Sequence, residues 1–159
     1  MNFQDFLKIA AKEAQKSGCL RGKRGAVFVD KDKVLIKTYN KIYPVNNFCQ
    51  KHSCLRDKLK LGLGKEAERC RSIHAEAWAV CLAARKGIVL KGAVAYITSM
   101  PCINCAKLML AVGIKEVYYL DIHADQMGTT FLKKMGVKCM RAKLPGDDPK
   151  KRLRDIRGQ

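Results

Sequence analysis

The chain has 159 residues, 48% of them hydrophobic, and carries 32 Lys and Arg against 14 Asp and Glu for a formal net charge of +18. That length and apolar content suit one folded domain with a real core and exclude an intrinsically disordered chain. No run of 18 apolar residues exists and the N-terminus is amphipathic rather than a signal peptide, so a soluble, cytoplasmic protein with no membrane partner is expected.

In chain order, Phe3, Phe6, Leu7, Ala10, Ala11 and Ala14 fall on one stripe and predict an amphipathic helix over 3–16 that ends near Gly18. "GAVFV" and "VLIKTYN" flank "DKDK" and read as a hairpin over 25–39. A second helix is expected from Ile73 to Lys86, stopped by Gly87. "AVAYITS" reads as a buried strand, and Pro101 opens a helix to Val112, again closed by a glycine. A strand "EVYYL", a helix over 124–135 and a last strand "VKCMR" follow. Helices that alternate with strands imply crossovers, so the last strands should be parallel. The fold class expected is α/β, a mixed five-stranded sheet with helices on both faces. The polar tail over 145–159, rich in Lys, Arg and Asp, is expected to be frayed.

Residues 41–70 break the alternation. A connection this long is rare in a compact domain unless it has a function or a staple, and "DKLKLGLGKEAER" offers a short helical turn at most. Eight cysteines are many for an intracellular chain, where metal or catalytic roles are commoner than disulfides. Cys81 and Cys139 sit in apolar runs and are expected to be core thiols. Cys19 ends the first helix region, Cys49 and Cys54 lie in the long connection, and Cys70 closes it just before the second helix. If their thiols converge, a four-thiolate zinc would tie it to the domain and contribute folding free energy, with His52 as an alternative ligand.

"SIHAEAWAV" places an imidazole and a carboxylate two residues apart in an apolar run, where burial of a carboxylate costs several kcal/mol unless something pairs with it. "PCINC" supplies two thiolates in a Cys-x-x-Cys spacing at a helix start, where the helix dipole favours thiolate over thiol. Together His74, Cys102 and Cys105 make a three-ligand zinc site that leaves a fourth position for water, the catalytic arrangement. Glu76 is then placed to accept a proton from that water and return it to a substrate nitrogen.

"HAE" followed by "PCINC" resembles the H-x-E…P-C-x-x-C signature of zinc deaminases. The chain is similar to the deoxycytidylate deaminase family of the zinc-dependent cytidine deaminase superfamily from about Ser17 to Val137. "SGCLRGKRGAVFV", "TYN" and "ADQMGTTFLKKMGV" match the opening strand, its closing asparagine and the last helix. The resemblance implies a three-layer α/β/α cytidine deaminase-like domain over 1–144 with its last two strands parallel. It also implies a catalytic zinc, a second zinc in some members, and a homo-oligomer, often a hexamer. By the same resemblance Asn40 would hydrogen-bond the substrate's sugar, and Trp78 departs from the asparagine common at its position.

The activity implied is hydrolytic deamination of dCMP to dUMP and ammonia, with Arg21, Lys23 and Arg24 as candidate phosphate contacts. A deaminase of tRNA or single-stranded DNA is the alternative. The positive charge favours it and the low aromatic content, 7%, argues against it. A zinc-stapled nucleotide-binding module is the third reading, and the intact Glu76 argues against that.

Overall fold

The computed structural model describes residues 2–43, 45–62, 66, 69–122 and 125–146. Helix α1 (Phe3–Ala14) begins with a capping box: Asn2 Oδ1 accepts from the Asp5 amide, and Asp5 Oδ2 accepts from the Asn2 amide. Strands β1 (Gly25–Asp30) and β2 (Lys33–Tyr39) form the expected hairpin. Its two-residue turn puts Lys31 and Asp32 at φ 45° and 64°, the left-handed pair of a type I′ turn. β5 (Val94–Ser99), β6 (Glu116–Asp121) and β7 (Lys138–Arg141) complete a sheet of order β2-β1-β5-β6-β7. β1 is antiparallel to both neighbours, whereas β5, β6 and β7 run parallel, as the alternation of helices and strands predicts.

The sheet is buried on both faces. On one, Phe6, Leu7 and Ala10 of α1 pack against Val27, Val29, Tyr96 and Leu120. The rings of Phe3, Phe6, Tyr96 and Tyr118 stack in a row with centroids 5.0–5.8 Å apart. α1 lies so close to β1 that a Cβ on Gly25 would sit 2.0 Å from the Ala10 carbonyl oxygen. On the other face lie α4 (Ala75–Lys86), α5 (Ile103–Ala111) and α6 (Met127–Lys134). α4 turns its small side chains Ala75, Ala79 and Ala83 inward, so its backbone approaches the sheet. That spacing also corrects one expectation. Cys139 is buried, but Cys81 is exposed, because the inward stripe at 75, 79 and 83 leaves it on the far side of the helix. An apolar run alone does not say which face is which.

The long connection has more structure than its composition suggests. Two residues at each end, β3 (Lys41–Ile42) and β4 (Ser72–Ile73), pair as a small antiparallel ribbon. Between them lie the short helices α2 (Phe48–His52) and α3 (Leu55–Lys58). The ribbon brings the excursion back to where it leaves the domain, so it closes at its base. The turn expected in "DKLKLGLGKEAER" falls partly outside the described residues, as does most of the tail from Pro145.

Candidate active site and metal centre

The site sits beyond the carboxyl ends of the parallel strands, the usual place for a ligand in an open α/β sheet. The residues from Ile97 to Met100 at the end of β5 form part of its wall. The Met100 amide donates to the Asp121 carbonyl, which locks that end of β5 to the end of β6. The chain then passes through Pro101 into α5.

Two helix starts meet there. His74 is the N-cap of α4 and Cys102 the N-cap of α5, both in extended conformation and neither spending its side chain on the cap. Their side chains are therefore available to each other. His74 Nδ1 lies 3.5 Å from the Sγ of Cys102 and 3.5 Å from that of Cys105. A tetrahedral zinc with bonds of about 2.0–2.1 Å to nitrogen and 2.3 Å to sulfur has N–S edges of about 3.5 Å, so the donor set fits that ion. Among the described residues this is the one group of three metal-ligating side chains whose ligand atoms all lie within 4.8 Å of one another.

The hydrogen bond from Cys105 holds the Cys102 thiol down at about 4 despite burial, with His74 assisting. The same bond, together with burial, pushes Cys105 up. His74 is raised chiefly by its bond to Cys102. Both thiols and the imidazole must give up protons to bind a metal.

Glu76, one residue into α4, is buried with 7% of its surface exposed. Burial pushes its carboxyl above the usual carboxylate range, and the imidazole of His74 acts against that. A buried carboxyl beside a metal-ligating cluster has the character of a proton-transfer group. The α4 start is held by Thr38, whose hydroxyl donates to the Ala75 carbonyl at 2.8 Å.

Gly128 of α6 is packed on the ligand segment from behind. A Cβ there would lie 2.1 Å from the Pro101 carbonyl oxygen and 2.9 Å from the Cys102 backbone. Gly128→Ala is expected to destabilise the fold by about 1–3 kcal/mol, the usual scale of overpacking. Denaturant unfolding checks this, and a midpoint at the wild-type value would contradict the packing described.

The other candidate residues line the same cavity: Asn40, Arg21, Arg24, Cys19, Cys49, Cys54 and Cys70. Asn40 is nearly buried, and its amide brackets the segment before β1. Oδ1 accepts from the Arg24 amide at 2.7 Å and Nδ2 donates to the Gly22 carbonyl at 3.0 Å. Arg21 is drawn toward the connection instead, with its guanidinium on Asp57 at 3.3 Å and on the Leu61 carbonyl at 2.9 Å. Lys23 reaches back to the Gln15 carbonyl and does not line the cavity.

The four remaining thiols stand near one another. Burial raises Cys49, and Cys54, Cys19 and Cys70 raise it further; burial also raises Cys70, with Cys19 and Cys54 adding to it. No three of them come within 4.8 Å of one another, looser than a tetrahedral four-thiolate centre. His52 is exposed, rests its ring 4.3 Å from that of Phe48, and does not line the cavity. Trp78 does not line it either, but packs against Tyr43 with Lys41 above its ring. Sequence reasoning missed Arg56 and Arg71, which do line the cavity. Their one signal is position, two residues after Cys54 and one after Cys70.

The chain matches the family model of the cytidine and deoxycytidylate deaminase zinc-binding region over residues 1–121. It is 36% identical to the deoxycytidylate deaminase of Mycobacterium phage D29 over 119 residues, which cover 72% of this chain and 90% of that one. Against the deoxycytidylate deaminase of Schizosaccharomyces pombe the identity is 29% over 134 residues, 84% of this chain and 41% of that one. The chain therefore spans about two fifths of the yeast relative's length. A dCMP deaminase from cyanophage S-TIM5, solved in complex with dCMP and dUMP, superposes with a TM-score of 0.73 at 25% identity, covering 87% of this chain and 95% of that one.

Proposed function

Because the chain belongs to the cytidine and deoxycytidylate deaminase zinc-binding family, we propose that it hydrolyses the 4-amino group of dCMP, giving dUMP and ammonia. The observation that carries this reading is the shared cavity, whose wall contains His74, Cys102, Glu76 and several arginines. A base and a phosphate on one small molecule answer that pairing.

His74, Cys102 and Cys105 are the residues that would hold the zinc ion, which supplies the Lewis acidity that activates water toward C4 of cytosine. Glu76 takes the proton released by that water and passes it to N3 of the ring. It then carries a second proton to the departing N4, which leaves as ammonia. Its burial suits this work, since a carboxyl kept above the usual range gives and takes protons more readily near neutral pH. Asn40 keeps one amide proton and one lone pair beyond its bonds to Gly22 and Arg24, enough to meet a sugar hydroxyl. Arg24, close enough to Glu76 to favour its ionised form, meets the nucleotide from the same wall.

A second, structural zinc on Cys19, Cys49, Cys54 and Cys70 belongs to this reading, supported by four thiols that line one cavity; since no three of them lie within 4.8 Å of one another, the ion would have to draw them together. Metal analysis is expected to give two zinc ions per chain, with Cys70→Ser removing one. One ion per chain, with those four thiols freely alkylated in the folded protein, would contradict it. A homo-oligomer in the cytoplasm completes the proposal.

The net charge of +18 is the observation in favour of a polynucleotide substrate. Steady-state turnover decides between the two. The expected result is a higher kcat/KM for dCMP than for deoxycytidine and little turnover of single-stranded oligonucleotides. Efficient turnover of an oligonucleotide with none of dCMP would overturn the mononucleotide reading.

A further inference from the structure

We propose that the end of the domain opposite the catalytic cavity binds the phosphate backbone of a nucleic-acid duplex without reading its sequence, and that this polymer is a docking partner and not the substrate.

The positive charge is spread along the sequence, but the fold sorts it. Between Ala77 and Gly146 the chain carries ten lysines and arginines against three carboxylates, Glu116, Asp121 and Asp125. All ten cations are exposed, whereas Asp121 is buried and Glu116 half-buried. Among the described residues only Lys138 of the ten has an ion-pair partner, Glu116 at 3.6 Å. Asp125 lies at the other end, where it lines the cavity and accepts from the Met127 amide.

The topology gathers seven of the ten cations at one rim. α4, α5 and α6 begin at the cavity and run away from it, and β5, β6 and β7 begin where those helices finish. The last turn of α4 carries Arg85 and Lys86, and that of α6 carries Lys133 and Lys134. Lys91 and Lys115 stand just ahead of β5 and β6, and Lys138 opens β7. The register sets Val94 beside Glu116 and Glu116 beside Lys138, so the three strand starts are level. The Gly92 amide donates to the Gly113 carbonyl and the Lys115 amide to the Ala93 carbonyl, which ties the loops ahead of β5 and β6 together. The three lysines thus follow strands about 4.8 Å apart, on the order of 20 Å from the cavity by the rise of β5.

Helix dipoles account for part of this arrangement, since cations in a last turn answer the carbonyls there. Lys91, Lys115 and Lys138 belong to strand starts and have no such reason. The other carboxylates at this end, Asp30 and Asp32, are matched by Lys31 and Lys33 in the turn between β1 and β2. The unbalanced field therefore belongs to the rim of β5, β6 and β7 and to the helix ends above it. Cations gathered around one half-buried carboxylate attract a polyanion.

The residue types select among polyanions. Six of the seven cations are lysine, a point charge on a flexible stem that follows phosphates without demanding a fixed geometry. The segments 85–92, 113–116 and 133–138 contain no aromatic residue, so they offer no platform for the unstacked bases of a single strand. A lipid surface would need an apolar face to sink into it, and of these segments' large apolar side chains only Val89 and Met135 are exposed. A duplex keeps its bases stacked, presents its phosphates outward and needs only the charge. Bound at this rim, it leaves the cavity free for a mononucleotide.

The test is fluorescence anisotropy with a labelled DNA duplex of about 20 base pairs and arbitrary sequence, over a range of salt concentrations. One protein combines Lys91→Gln, Lys115→Gln, Lys133→Gln and Lys134→Gln. A control combines Lys12→Gln, Lys51→Gln, Lys58→Gln and Lys60→Gln, exposed lysines away from the rim, and loses the same charge. Each lost phosphate contact flattens the slope of log K against log salt by about 0.9, so the rim protein is expected to lose about three to four from that slope and at least about tenfold in affinity at low salt. The control is expected to bind within about threefold of wild type. Equal weakening by both sets overturns the surface, as does a wild-type protein that binds no duplex at low salt. Rim-dependent binding to vesicles of phosphatidylserine and phosphatidylcholine, without duplex binding, overturns the nucleic-acid assignment.

Saturating duplex is expected to leave dCMP turnover within about twofold, and competitive inhibition would put the polymer at the cavity and overturn the proposal. The binding measurements are read whether or not dCMP is turned over, so this surface and the deaminase reading fail separately. Should the rim protein fail to fold, acetylation of lysines in the wild-type protein decides. Duplex is expected to protect Lys91, Lys115, Lys133 and Lys134 and to leave Lys12 and Lys51 reactive, and the reverse pattern overturns the assignment.

Discussion

Glu76→Gln is expected to keep its zinc and to lose at least about 10³-fold in deamination of dCMP, within the range that general acid–base catalysis supplies. The substitution preserves size and much of the hydrogen-bonding capacity, so α4 and the metal ligands should stay where they are. What it removes is the ability to accept a proton. In the proposed reaction this one buried carboxyl serves more than one proton transfer, and among the described residues the metal-ligating cluster beside it contains no carboxylate. Metal analysis and circular dichroism establish that the variant is loaded and folded. Turnover at a tenth of the wild-type rate would remove Glu76 from the chemistry.

Cys102→Ser carries the second large effect, and the position separates metal loss from unfolding. Cys102 is the N-cap of α5 and makes no side-chain cap bond. Serine is among the better N-cap residues, worth about 1 kcal/mol over alanine, so the helix gains a capping hydroxyl as it loses a thiolate ligand. The expected outcome is a folded protein that has lost the zinc of the His74 site and shows no measurable deamination. The loss follows from the donor set, since zinc at such a centre is held by thiolate and imidazole, and a neutral hydroxyl does not replace a thiolate. Full zinc content with near-normal activity would contradict the ligand assignment.

Much of this architecture is legible in the sequence because local signals and global fold agree. The alanine stripe of α4 ends at Gly87, whose φ of 64° is the left-handed cap its position suggests. The crossovers through α5 and α6 force β5, β6 and β7 to run parallel. The meeting of His74 with Cys102 and Cys105 follows from two short motifs at two helix starts, each legible without the other. What escaped is governed by long-range packing. Cys81 looked buried because its neighbours are apolar, but the sheet sees a different face of α4. The segment over 41–70 has little apolar periodicity, so the β3–β4 ribbon and the short α2 and α3 leave almost no pattern to read. Arg21 shows the same limit: nothing local says that it turns to Asp57, 36 residues away.

The most direct measurement of the central claim is product analysis after incubation of the zinc-loaded protein with dCMP in water enriched in ¹⁸O. The account predicts dUMP and ammonia in equal amounts, with one solvent oxygen at C4 of the uracil in each dUMP formed, and product formation at least about 10³-fold slower with the Glu76→Gln protein under the same conditions. Unchanged dCMP after exhaustive incubation with the zinc-loaded wild-type protein would contradict it.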